Sequence, residues 1–65
     1  MKTFTTDNKD IFMLFFNEGF LFTESQWDTI SHFLTSDKNR TIKINYEITE
    51  DGSNVLKDVE VYGGV

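Results

Sequence analysis

The chain has 65 residues, 38% hydrophobic and 15% aromatic, with 11 acids against 6 Lys and Arg and a net charge of −5. It is one small domain at most, able to hide only about 60% of the surface its unfolded form exposes. No cysteine is present, which excludes disulfides, thiolate metal sites and thiol catalysis. A cleft with several convergent catalytic groups is hard to build at this size, so composition argues for a binding protein and not an enzyme. The acidic balance speaks against a direct grip on nucleic acid, which needs Lys and Arg, and favours a basic partner. No run of about 18 apolar residues crosses a membrane, and polar Met1 to Asp10 lacks the apolar core of a signal peptide. The expected address is the cytoplasm. Proline and alanine are both missing while Asn, Lys, Ile and Phe are frequent, the bias of an AT-rich genome.

Met1 to Lys9 carries Thr3, Thr5, Thr6, Asp7 and Asn8 around a lone Phe4 with no sustained period. The expectation is a flexible N-terminal arm over residues 1–9 of a single domain spanning 1–65. Ile11-Phe12-Met13-Leu14-Phe15-Phe16 is a continuous apolar run closed by Asn17-Glu18-Gly19. Its aromatic content predicts a strand buried on both faces, pairing with Phe20-Leu21-Phe22 as a hairpin in which Gly19 supplies a positive φ.

Thr23-Glu24-Ser25-Gln26 has the form of a capping box, with Glu24 and Asp28 near the positive end of the helix it opens. At 100° per residue, Trp27, Ile30, Phe33 and Leu34 share one face and Asp28, His32 and Thr35 the other. Ser36 to Arg40 ends the helix in a polar loop. From Thr41 the period becomes two, with Ile42, Ile44, Tyr46 and Ile48 on one side and Lys43, Asn45 and Glu47 on the other. Asp51-Gly52 marks a turn, and Val55 to Tyr62 alternates with Val55, Val59 and Val61 together before Gly63-Gly64. The predicted fold class is α+β, a β-β-α-β-β chain whose antiparallel sheet takes one helix on one face.

Candidate chemistry is sparse. His32 sits one helical turn after Asp28, a spacing open to a base with its orienting acid but commoner as a solvated pair. Ser31 and Ser36 have no base partner, so a triad finds no support. Glu47, Glu50 and Asp51 match no EF-hand loop, and no metal or cofactor is expected. The glycines form no phosphate cradle. Ten aromatics exceed what one helix on a four-stranded sheet hides, so some should lie in an interface, with a partner or in a homodimer. Trp27 at the core edge beside outward Asp28 is the pair of most interest; the plain reading is a core Trp followed by an acid suited to the helix dipole.

Ser25-Gln26-Trp27-Asp28-Thr29-Ile30, with the strand Thr41-Ile42-Lys43-Ile44-Asn45-Tyr46 and a preceding apolar segment at Phe12 to Phe16, resembles the small acidic phage proteins that inhibit uracil-DNA glycosylase. Together these stretches span roughly half the chain. The resemblance implies a dimeric DNA mimic that occupies the DNA-binding cleft of the host enzyme. In that family a helix aromatic helps box the leucine that the glycosylase pushes into DNA, and the next acid imitates a backbone phosphate. Those roles fall to Trp27, with Ile30 beside it, and to Asp28; Glu24, Ser31 and Leu34 complete the candidate partner-binding set. The chain departs where the family carries a helix Tyr, since Ser31 stands there and Phe33 or Leu34 must compensate. The loop before the next strand is about two residues longer and the last strand runs further. The alternatives are an inhibitor of another DNA-binding protein, of anti-restriction or anti-CRISPR type, and a general acidic interaction domain.

Overall fold

A computed structural model describes residues 1–63. The chain runs through β1 (Lys2–Thr6), α1 (Lys9–Phe16), α2 (Glu24–Thr35), β2 (Arg40–Ile48) and β3 (Asn54–Gly63). The strands form an antiparallel sheet in the order β1-β2-β3. This is an α+β domain, as the two periods in the sequence imply, with the order β-α-α-β-β in place of β-β-α-β-β.

Two differences account for that order. The expected N-terminal arm is an edge strand instead: Lys2 to Thr6 pairs with Tyr46 to Ile42, and Phe4 lies opposite Ile44. Alternating Thr residues suit a half-solvated strand, and Phe4 anchors it by stacking on Phe15 at a centroid distance of 4.0 Å.

The apolar run from Ile11 is helix α1, not a doubly buried strand. Asn8 caps it, its side-chain oxygen accepting from the Ile11 amide at 3.0 Å. Phe12, Phe15 and Phe16, at helical spacing, turn inward, while Ile11 and Leu14 face solvent. Because the outward positions are also apolar, the run conceals its own period. Gly19 does take a positive φ, +101°, but it follows the last turn of α1, its amide bonding the Phe16 carbonyl at 3.1 Å.

Nor does Phe20-Leu21-Phe22 pair with α1. Leu21 instead bridges the edge of β3 in parallel, donating to the Asn54 carbonyl at 2.8 Å and accepting from the Leu56 amide at 2.9 Å. The Asn54 side chain adds a bond to the Gly19 carbonyl. The linker between the helices is therefore stapled to the far strand.

Helix α2 starts as the sequence predicts, with both bonds of the Thr23–Gln26 capping box formed. At the other end, the Lys9 ammonium donates to the Ser36 carbonyl and ties the start of α1 to the close of α2. In β3 the phase changes at a bulge opposite Asn45 and Tyr46. Lys57 is the extra residue, so Leu56 joins Val59 and Val61 on the inner face. Val55 pairs with Glu47 on the outer one.

Both helices cover one face of the sheet, and the core lies between. Phe12, Ile30, Phe33, Ile42, Ile44 and Leu56 are buried there, so every α-helix and both long strands contribute. Hiding each such side chain is worth about 1.5–3 kcal/mol. Thr3, Thr5, Lys43, Asn45, Glu47, Asp58 and Glu60 occupy the other, solvent-facing side by the register. Among the described residues no helix is long and apolar enough to cross a membrane.

Candidate functional site

The first two turns of α2 follow directly from the capping box, because the cap fixes where helical spacing begins. Counting from Glu24 in steps of three or four gives Trp27, Asp28, Ser31 and Leu34 along one stripe. Glu24, Ser25, Trp27 and Asp28 line a shallow open depression at its start. Both carboxylates are exposed, and Trp27 keeps 40% of its surface in solvent.

The indole does not float free. Its ring lies 5.7 Å from Phe22 and 6.1 Å from Phe16, with interplanar angles of 30° and 26°. Phe22 immediately precedes the N-cap and Trp27 is the fourth helical residue, so the two form a hydrophobic staple that fixes how the chain enters the helix. Phe22 is itself 46% exposed, and Leu21 beside it 61%. An apolar surface made of Phe22 and Trp27 thus borders the acids Glu24 and Asp28.

Behind this surface the rings continue inward. Phe16 contacts Phe12 and Phe20, Phe12 meets Phe33 edge to face at 5.7 Å, and Phe20 meets Tyr46. Trp27 is the outer end of an aromatic network whose inner end is the core. That backing restricts the indole, so little side-chain freedom remains to be lost on binding.

The candidate residues divide clearly. Glu24, Trp27 and Asp28 come together at the surface. Ser31 and Leu34 follow on the same stripe, half-buried, and Leu34 packs against the core. Ile30 is fully buried and cannot touch a partner, because position 30 points between α2 and the sheet. Phe33 is likewise buried and cannot compensate for Ser31. Phe22 belongs to the surface and was not among the candidates. The signal for it was an aromatic directly before an N-cap with another aromatic five positions later.

His32 and Asp28 do approach, Nδ1 to Oδ2 at 4.0 Å, with both side chains more than three-quarters exposed. Water competes there for both groups. Glu47 pairs with Lys57 at 3.8 Å. Asp51 accepts from the Thr49 hydroxyl and from the Ser53 amide, bonds that hold its carboxyl below the usual carboxylate range. Glu47 and Asp51 therefore have structural partners.

No protein-family model, no curated protein and no solved structure matches the chain.

Proposed function

We propose that this chain is a protein inhibitor that mimics DNA, blocking the DNA-binding cleft of a host uracil-DNA glycosylase and acting as a homodimer. The observation that carries the reading is the half-exposed Trp27, braced by Phe22 and set beside the carboxylates of Glu24 and Asp28. A protruding aliphatic side chain of the enzyme would seat on the Phe22 and Trp27 surface. The flanking carboxylates would take the places of phosphates against a basic cleft. Aromatic anchors in such a surface supply affinity, while net charge raises the association rate. All eleven acids are exposed, and among the described residues ordinary ion pairing uses only Glu47, apart from the weak Asp28–His32 contact.

The test is excision of uracil from a uracil-containing oligonucleotide by a bacterial glycosylase, with increasing amounts of the protein. Stoichiometric inhibition that falls on Trp27→Ala and on Asp28→Asn, in variants whose melting curves show a folded protein, supports the proposal. Absence of inhibition at micromolar excess overturns it.

A further inference from the structure

The two edges of the sheet are unlike. The first half of β3 is already bonded along its outer side to Leu21. Its second half presents Asp58 and Glu60, charges of the kind that blunt an edge against pairing. In contrast, β1 is Lys2-Thr3-Phe4-Thr5-Thr6, with no acid, and among the described residues only its inner side is paired, to β2.

Helix α1 adds an apolar wall to that same edge. Stepping about 100° per residue, the order around the helix is Phe12, Phe15, Ile11, Leu14. Phe12 faces α2 through Phe33, and Phe15 faces down onto Phe4 of β1. The next position round, Ile11, therefore overhangs the outer side of β1, away from α2, and Leu14 follows it. These two side chains are 49% and 73% exposed.

We propose that the β1 edge, together with the Ile11 and Leu14 side of α1, is the interface at which a second copy of this chain docks, β1 pairing antiparallel with its counterpart across a two-fold axis. The strand is self-complementary in that arrangement. Centred on Phe4, Lys2 lies opposite Thr6, Thr3 opposite Thr5, and Phe4 opposite itself, so no like charges meet. The two Phe4–Phe15 stacks become neighbours at the axis, and Ile11 and Leu14 of each copy lose their exposure. By comparison, self-pairing of β3 centred on Glu60 opposes two carboxylates, and centring on Val59 opposes Asp58 with Glu60. The sheets join into six strands with no edge left at the centre. Glu24, Trp27 and Asp28, on α2 over the far strands, stay clear of this contact.

This inference rests on the self-association in the preceding reading but not on its target. Sedimentation velocity across a concentration series reads the oligomer, and amide hydrogen exchange reads β1. The expected result is a concentration-dependent dimer that gains protection at the β1 amides not bonded to β2. Ile11→Glu should raise the dissociation constant at least tenfold, and Tyr62→Glu, on the opposite strand, should leave it unchanged. If Ile11→Glu fails to fold, Leu14→Lys at the more exposed position serves the same purpose. A chain that stays monomeric to about 1 mM, or a dimer unaffected by both α1 variants, or one broken by Tyr62→Glu, overturns the proposal. Uracil excision separates the two readings: a monomer that inhibits overturns this interface alone, and a dimer that does not inhibit overturns the target alone.

Discussion

The side-chain amide of Gln26 donates to the main-chain carbonyl of Leu56 at 3.2 Å. The same amide's oxygen accepts from the Thr23 amide at 2.8 Å, so one side chain both caps α2 and fastens it to β3 beside the bulge. The position of Trp27, the next residue, is thereby set by the sheet as well as by the helix. A cap that exists only for the helix would leave this end of α2 free to swing.

Replacing Gln26 separates these two duties. Gln26→Glu keeps an oxygen for the Thr23 amide but loses the donor to Leu56, and should cost about 1 kcal/mol. Gln26→Ala loses both and should cost about 1–2 kcal/mol. Urea denaturation of the two variants beside Thr23→Ala checks the order, and equal stability of the Glu variant and the parent would refute the tie to β3.

The helical nature of the segment from Ile11 has its own signature. Phe12→Ala removes a fully buried ring and should cost about 3–5 kcal/mol, enough to unfold a domain of this size. Leu14→Lys, two residues away, should change the stability of the single chain, measured at a dilution where copies do not associate, by less than about 0.5 kcal/mol because Leu14 is exposed there. A strand buried on both faces would make both substitutions severe, so thermal melts of the pair discriminate between the two conformations.

Phe22→Ala tests the staple. The variant keeps the capping box but withdraws the ring that braces Trp27, so its cost should fall mainly on partner binding, by about 1–2 kcal/mol, with a smaller loss of stability. Trp27→Ala should cost about 2 kcal/mol or more in binding, roughly thirtyfold. Titrated glycosylase inhibition with both variants, after melting curves, reads the two effects.

Asp51 predicts a limb of the acid response. Its carboxyl is held below the ordinary value of 3.8 by the Thr49 hydroxyl and the Ser53 amide. A native pKa below the unfolded one means the stabilisation is fully present above about 3.8 and is lost as pH falls through the lower native value. Stability of Asp51→Asn and of the parent should therefore differ near neutral pH and converge at low pH. A gap that stays constant from pH 6 to pH 2 would contradict the role assigned to the carboxylate.

His32→Ala should be nearly silent, within about 0.5 kcal/mol, since an exposed pair at 4.0 Å gains little in water. Equilibrium unfolding of that variant at pH 5.5 and 8 measures any contribution of the contact with Asp28.

What the sequence alone determined was local and amphipathic. The Thr23 to Gln26 cap, the α2 face with Ile30 and Phe33, and the alternation through Ile42 and Ile44 are legible because each buried side alternates with a polar one at a fixed period. The stripe Glu24, Trp27, Asp28 follows from that helix start. Where apolar residues occupied both sides, as at Ile11 to Phe16, period carried no information and only the packing of Phe12 on Phe33 and Phe15 on Phe4 selected the helix. The short strand Lys2–Thr6 likewise became ordered through β2, since five residues alternating Thr and Phe gain too little on their own. The bulge at Lys57, the pairing of Leu21 with β3, and the burial of Ile30 out of a partner's reach were decided by tertiary structure, because each depends on which distant backbone or side chain fills the neighbouring space.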